Sequence, residues 1–138
     1  MKKIIKKYNF IFLISFLAVG DQLSKYLIRH NDGFYICNPG ISFGFLFPSW
    51  FFYFIVAVIF LLALLYLLEK IKFENFVLNK IGIVFILGGA VANLIDRYNY
   101  GCVIDFIDLN FFSVFNLADI FITIGAIIII MKSFKSNS

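Results

Sequence analysis

The sequence predicts an all-α membrane protein with four transmembrane helices, both termini in the cytoplasm, and a small β or loop element on the opposite side of the membrane. Hydrophobic residues make up 62% of the 138 residues and charged residues only 14%, whereas a soluble domain is roughly half apolar and a quarter charged. Four apolar segments are each about one bilayer in length. We therefore expect one integral-membrane domain that covers residues 1–138.

The four apolar segments are predicted to span the membrane at about residues 8–28, 50–68, 77–95 and 115–131. The first follows a basic start, MKKIIKK, and resembles a secretory signal. We expect it to be retained, because the helical pattern continues through DQLSKYLI. The second begins at Trp50, a residue type enriched at membrane interfaces. Before it, YICNPGISFGFLF is both apolar and rich in turn residues, which favours short strands or a re-entrant loop.

The charge distribution predicts the orientation of the spans. Nine of the twelve cations lie at the termini or in the connection between the second and third spans. The positive-inside rule makes that side cytoplasmic. Six of the eight acidic residues fall on the opposite side. The net charge of +4 therefore reflects membrane topology, and we expect membrane lipids rather than nucleic acid as the surroundings.

Polar residues interrupt the apolar pattern between Gly88 and Asp119. Ionisable groups at membrane helices are costly and indicate a functional site. Asp96 is expected to form an ion pair with Arg97 at the end of the third span. Asp21 and Lys25, four residues apart in the first helix, are expected to form a surface ion pair. The polar residues of the interrupted segment are Asn93, Asp96, Arg97, Asp105, Asp108, Asn116 and Asp119.

Asp105 and Asp119 differ from the other acids because both have apolar neighbours and few cations nearby in sequence. Such surroundings raise a carboxyl pKa, and two carboxyls that lie close together share a proton as one acid and one base. That arrangement performs amide hydrolysis by activated water. A proton or cation relay in a small transporter uses the same residue type, and spacing alone leaves both readings open.

Other catalytic schemes fit the sequence less well. The single histidine, His30, lies in a polar segment, and adjacent Ser24 and Lys25 point about 100° apart on a helix. The chain contains no HExxH motif and no phosphate-binding glycine loop, so we expect neither a metal nor another cofactor. Cys37 and Cys102 match no metal or redox motif. They are expected to be small apolar residues, with a bridge only if they face an oxidising compartment.

Four blocks of the sequence together resemble the lipoprotein signal peptidase family, also called signal peptidase II. They are DQLSK at 21–25, NPGISFGF at 38–45, GGAVANLIDRYNYGCVIDFID at 88–108 and FNLADIFITIG at 115–125. They occur in the order of the family, and the third and fourth blocks are the most specific. The resemblance covers essentially the whole chain and agrees with four spans and two cytoplasmic termini.

The resemblance implies a monomeric, multi-pass aspartic peptidase of the bacterial inner membrane with its site near the outer face. Its members use no metal and remove the signal peptide from prolipoproteins, cutting before the diacylglyceryl-modified cysteine. Asp105 and Asp119 match the catalytic pair of the family. The positions that match residues lining the site or holding its polar network are Asp21, Lys25, Asn38, Gly40, Asn93, Asp96, Arg97, Asn116 and Ala118.

Two departures from the family pattern stand out. Ala92 occupies a position where many members have glycine. Only sixteen residues separate Asp21 from Asn38, and only thirteen separate Asp105 from Asp119. In the family these stretches are usually longer and build a periplasmic sheet and a loop, so a reduced cap over the site is implied here. A reduced cap raises the alternative of an inactive homologue that binds lipoproteins, although the intact aspartate pair argues against it.

Overall fold

A computed structural model describes residues 2–39, 49–68 and 80–136 of the chain. A helix covers most of each of the four predicted apolar segments. The helices α1 to α4 and the strands β1 and β2 follow in the order α1 Lys2–His30, β1 Ile36–Asn38, α2 Ser49–Leu67, α3 Lys80–Tyr100, β2 Val103–Asp105 and α4 Leu117–Ser136. The prediction of mostly helical structure with a small β element is therefore confirmed.

Two helices in the described part of the chain contain apolar stretches long enough to cross a membrane. They are Asn9–His30, with 22 residues, and Lys80–Tyr100, with 21 residues. At 1.5 Å per residue a 21-residue helix is about 31 Å long, close to the ~30 Å of bilayer hydrocarbon. Helix α2 adds an apolar helical stretch at Val56–Leu67. Length and composition therefore identify α1 and α3 as candidate spans.

Helix α3 is the centre of the bundle. Val84 and Leu87 on α3 pack with Leu17 of α1 and Leu67 of α2 in one buried apolar cluster. Glycines allow the neighbouring helices to approach closely. A Cβ atom at Gly88 would lie only 2.8 Å from the Cβ of Leu17, so α1 rests directly on the backbone of α3.

The contact between α3 and α4 is closer still. A Cβ atom added at Gly89 would overlap the carbonyl oxygen of Ala118, and one added at Gly82 would lie 2.8 Å from the carbonyl oxygen of Gly125. Helix backbones therefore touch along this interface, which places the first turn of α4 against the middle of α3.

The outside of the bundle is largely apolar, and its interior holds polar and charged side chains beside the apolar cluster. Large apolar side chains such as Phe12, Phe16 and Phe54 are exposed on its surface. This polarity suits a protein surrounded by lipid, in which ionisable residues face the bundle interior. The buried polar and charged side chains are Asp21, Lys25, Asn93, Asp96, Asp105 and Asn116.

Strands β1 and β2 form a two-stranded antiparallel ribbon beyond the end of α3. Cys37 lies opposite Ile104, and Asn38 lies opposite Val103. A disulfide joins Cys37 to Cys102, with the two Cα atoms 5.5 Å apart. The expectation of two separate apolar cysteines is therefore wrong. The residues are 65 positions apart in sequence, and only the pairing of the strands brings them together.

We predict that Gly89→Ala lowers the free energy of unfolding by about 1–3 kcal/mol, because the new methyl group overpacks the α3–α4 interface. Gly20→Ala is the matched control, since a Cβ atom at Gly20 meets no other atom within 4 Å. Alanine at that position is expected to be neutral or to stabilise α1 by at most about 1 kcal/mol. Thermal unfolding in detergent measures both changes. Equal stabilities for the two variants would contradict the close approach of α4.

Candidate active site

The candidate site lies where α1, α3, the end of β2 and the first turn of α4 meet. Ten of the eleven residues predicted for the site or its network belong to the described part of the chain, including Asn38 on β1. Gly40 lies outside the described residues. Six of the polar or charged side chains among the ten are buried, and so is Ala118. Since buried polar groups require partners, the hydrogen bonds define how the site is held together.

Lys25 is the cation at the centre of the buried network. Its Nζ atom lies 2.6 Å from Oδ2 of Asp21 and 2.7 Å from Oδ2 of Asp96. It also donates a hydrogen bond to Oδ1 of Asn93 at 3.2 Å. The three charged side chains are 97% or more inaccessible to solvent. The predicted pairing of Asp21 with Lys25 is thus confirmed, but the pair lies inside the protein and not on its surface.

The partner predicted for Asp96 was wrong. The cation against this carboxylate is Lys25 from α1, whereas Arg97 donates a 3.5 Å hydrogen bond to the carbonyl oxygen of Asn93. Consecutive residues of a helix point about 100° apart, so Asp96 and Arg97 face different neighbours. Asp96 also accepts a 2.7 Å hydrogen bond from Gln22. Gln22 was missed, although it is a polar residue beside Asp21 in a helix that is otherwise mostly apolar.

Each carboxylate beside Lys25 also binds a backbone amide. Oδ1 of Asp21 accepts a 2.8 Å hydrogen bond from the amide of Ala118. Oδ2 of Asp96 accepts one of 3.0 Å from the amide of Ile104. Ala118 and Ile104 immediately precede Asp119 and Asp105. The buried network therefore fixes the backbone next to both predicted catalytic aspartates.

Asp105 is almost fully buried at the end of β2, and both of its oxygens accept hydrogen bonds. Asn116 donates to Oδ1 at 2.6 Å, and Asn38 donates to Oδ2 at 2.9 Å. Burial raises the pKa of Asp105, and the neighbouring charge of Asp119 raises it further, whereas the two asparagines and Lys25 act in the opposite direction. The expected elevation of the pKa is thus confirmed for Asp105, and burial is its main cause.

Asp119 lies in the first turn of α4 and forms a capping box with Asn116. The amide of Asp119 donates to Oδ1 of Asn116 at 3.0 Å, and the amide of Asn116 donates to Oδ2 of Asp119 at 3.2 Å. This reciprocal pattern satisfies two amides that the helix leaves unpaired. The sequence NLAD, with asparagine three residues before aspartate, has the spacing of a capping box, but this was not predicted above. Asn93 donates to Oδ1 of Asp119 at 3.0 Å.

Asn116 connects the two aspartates. Its side-chain amide donates to Asp105, while its backbone amide donates to Asp119. The same Nδ2 atom also contacts Oδ1 of Asn93 at 3.2 Å. Asp105 and Asp119 are therefore brought to a common neighbour, although thirteen residues separate them in the chain. The arrangement holds two carboxyl groups against one asparagine.

The remaining candidates for catalysis take part in local contacts. Ser24 donates to the carbonyl oxygen of Asp21 at 2.7 Å, and Nδ1 of His30 lies 2.9 Å from the carbonyl oxygen of Tyr26. Asp108 is exposed and accepts a 2.7 Å hydrogen bond from the amide of Asn110. In the described ranges, no group of three or more His, Cys, Asp or Glu side chains is arranged to hold a metal ion.

Comparison with known proteins identifies the family. The sequence profile of signal peptidase II matches residues 13–135. The chain belongs to the signal peptidase II family. Family membership favours a peptidase over the transporter alternative, and it makes the chain a membrane protein.

Relatives of the signal peptidase II family extend over nearly the whole chain. A lipoprotein signal peptidase of Bartonella quintana is 37% identical across 94% of this chain and 89% of the relative. One from Caldanaerobacter subterraneus is 39% identical across 86% of this chain and 91% of the relative. One from Staphylococcus aureus is 34% identical across 96% of this chain and 94% of the relative.

Two solved structures are similar to the fold seen here. Both are described as bacterial membrane enzymes solved by the in meso method, at 2.3 Å and 1.9 Å resolution. The first has a TM-score of 0.74 and 34% identity, and the match covers 94% of this chain and 90% of that chain. The second has a TM-score of 0.73 and 29% identity, over 90% and 91% of the two chains.

We predict that Lys25→Met lowers the free energy of unfolding by about 3–5 kcal/mol, because it leaves Asp21 and Asp96 buried without their shared cation. Lys132→Met is the control, since Lys132 is exposed on α4, and we expect a change within about 0.5 kcal/mol. Unfolding of both variants is to be measured in the same detergent. A Lys25→Met protein as stable as the control would show that the ion network does not hold the bundle together.

Proposed function

We propose that this protein is an intramembrane aspartic endopeptidase that removes signal peptides from diacylglyceryl-modified bacterial prolipoproteins, cutting before the lipidated cysteine. Membership of signal peptidase II and the relatives named lipoprotein signal peptidase support the substrate class. The observation that carries the chemistry is the link from Asp105 through Asn116 to Asp119. An inactive homologue has no need of two carboxyl groups, one of them buried, that are held by the same asparagine.

In the proposed mechanism, Asp105 and Asp119 share one proton. The ionised carboxylate takes a proton from water while the protonated carboxyl donates its proton to the carbonyl oxygen of the scissile peptide bond. Water oxygen adds to the carbonyl carbon, which gives a tetrahedral diol. Collapse of the diol breaks the carbon–nitrogen bond, and the leaving amine takes up a proton. The pair titrates as a unit, so the acid and base roles are assigned to the pair.

The other site residues position the pair and the substrate. Asn93 and Asn116 hold the carboxyl groups, and Asn38 does so from the ribbon. Asp21, Lys25 and Asp96 fix the backbone at Ala118 and Ile104. Arg97, beside Asn93, is proposed to bind the substrate backbone. These proposed roles rest on the hydrogen-bond network and on the family pattern.

The lipid chains of the substrate are proposed to remain in the bilayer beside the bundle. An apolar groove of about 510 Å³ between α2 and α3 offers a suitable surface, lined among others by Val56, Phe60, Leu94, Ile95 and Tyr98. Holding the lipid there keeps the adjoining peptide bond near the aspartates. Such anchoring converts a bimolecular encounter into one that is effectively unimolecular.

We further propose a monomeric, four-span protein of the inner membrane, with both termini in the cytoplasm and the aspartates near the outer face. The clustering of nine of twelve cations at the termini and the 69–80 connection supports this orientation. The Cys37–Cys102 disulfide supports it independently, because such bonds persist outside the reducing cytosol. The ribbon and the site lie at the same end of the bundle.

We predict that Asp105→Asn and Asp119→Asn each abolish cleavage of diacylglyceryl-modified prolipoprotein, by on the order of 10³-fold or more, while the protein still folds. Asparagine keeps the shape and one of the two acceptor oxygens but cannot act as a base or donate the shared proton. The double variant is expected to be little worse than either single variant. Asp108→Asn, at an exposed acid outside the network, is the control and should retain full activity.

The Asp96→Asn variant distinguishes a structural role of Asp96 from a catalytic one. It removes a charge from the ion network, so stability should fall by a few kcal/mol at most, and the folded fraction should still cleave. Cleavage is to be normalised to folded protein extracted in detergent. If Asp119→Asn stays active while Asp96→Asn loses all activity at equal folded yield, the catalytic pair has been assigned wrongly.

The orientation can be tested by labelling single added cysteines with a membrane-impermeant thiol reagent. In unreduced protein, Asn75→Cys should be protected in intact cells and Ser113→Cys should be labelled, because the 69–80 connection and the segment before α4 are proposed to lie on opposite sides. Lysed cells provide the control for reactivity. Labelling of Asn75→Cys in intact cells would refute the proposed topology.

A further inference from the structure

The two faces of the β ribbon make different contacts. Side chains alternate along a strand, so Cys37 and Asn38 point to opposite faces. The register places Cys37 against Ile104 and Asn38 against Val103. The disulfide to Cys102 therefore lies on one face, and the hydrogen bond from Asn38 to Asp105 lies on the other. Residues adjacent in β1 thus make the covalent link and the contact with the site.

The ribbon is too small to fix its own geometry. Each strand has three residues, and an isolated two-stranded ribbon is marginally stable at best in water. Strand β2 is held to α3 by the hydrogen bond between Ile104 and Asp96 and continues into the Ile107–Phe115 bridge. Strand β1 has its described ladder contacts only with β2. The disulfide therefore adds a covalent restraint to the strand that carries Asn38.

We propose that the Cys37–Cys102 disulfide positions Asn38 against Asp105 and so makes the peptidase dependent on an oxidising environment. This inference rests on the proposed function and extends it. A slip of one residue between the strands would turn Asn38 away from Asp105, because side chains alternate. The covalent bond prevents that slip, since it ties the residue before Asn38 to the residue before β2.

The consequence for the site is electrostatic. Asn38 donates to Oδ2 of Asp105 and favours its ionised form, so loss of that bond raises the pKa of Asp105 beyond the elevation that burial already causes. The charged groups that act on Asp105 are Asp119 from α4 and Lys25 from α1, with Asp96 of α3 one residue away through the Ile104 amide. None of these is attached to β1, so breaking the bridge leaves them in place.

The bridge is also accessible from one side. Cys37 is exposed, whereas Cys102 is buried at 3% relative exposure. A dithiol reductant in solution can therefore attack the sulfur of Cys37 and leave Cys102 as a thiol, with the two electrons supplied by oxidation of the dithiol to its own disulfide. The structure thus predicts a reversible loss of activity on reduction.

The experiment compares oxidised wild type with two variants, Cys37→Ser/Cys102→Ser and Asn38→Leu, the latter being close in size but unable to donate. Initial rates of cleavage of lipidated prolipoprotein are measured against pH and normalised to folded protein. For both variants we expect kcat to fall about five- to tenfold at neutral pH with little change in KM. The pH–rate profile should move to higher pH in both. Combining all three substitutions should cost less than the product of the separate effects, because they act through one contact.

The second part of the experiment reduces the disulfide with dithiothreitol. It should lower wild-type activity to the level of the serine variant, reoxidation should restore it, and the serine variant should not respond. A serine variant with the kcat and pH profile of wild type would overturn the proposal, as would a lower folded yield with an unchanged profile, which indicates a purely structural bond. Absence of any cleavage by oxidised wild type would instead refute the proposed peptidase function.

Discussion

The contact of one buried lysine with two buried aspartates is the constraint on which the site depends. A charge removed from water is stable only with close partners, and Lys25 reaches Asp21 and Asp96 at 2.6 and 2.7 Å. The second oxygen of Asp21 also accepts a hydrogen bond from the amide of Ala118, and the oxygen of Asp96 that contacts Lys25 accepts one from the amide of Ile104. The need to satisfy buried charge in α1 and α3 therefore fixes the backbone beside Asp119 and Asp105.

Packing makes this network possible. The overlap that a side chain at Gly89 would have with the carbonyl of Ala118 shows that the first turn of α4 lies against the backbone of α3. At that distance Asp21 of α1 can reach the amide of the same residue. Small residues and buried charges thus act together, because the glycine lets the helices meet and the carboxylate sets their relative position. A bundle with an apolar exterior gives few alternative places for these charges.

The polar side of the site is built from asparagines. Asn93, Asn116 and Asn38 donate to the two predicted catalytic carboxyls from α3, the start of α4 and β1. A neutral donor holds a carboxyl group without adding a full positive charge that would keep it ionised. Burial can then dominate, and the pKa of Asp105 is raised. The asparagines orient the two carboxyl groups.

The sequence by itself determined the helical class, the membrane setting and the family, because composition, apolar run length and motif order are local properties of the chain. The apolar neighbours of Asp105 and Asp119, together with the family resemblance, also singled these two residues out as the predicted catalytic pair. The sequence did not determine which side chains contact one another in the folded protein. Lys25 rather than Arg97 contacts Asp96 because the packing of α1 on α3 decides which face meets a cation. The Cys37–Cys102 bond and the role of Asn116 between the aspartates likewise depend on residues distant in sequence, which only the pairing of strands and helices brings together.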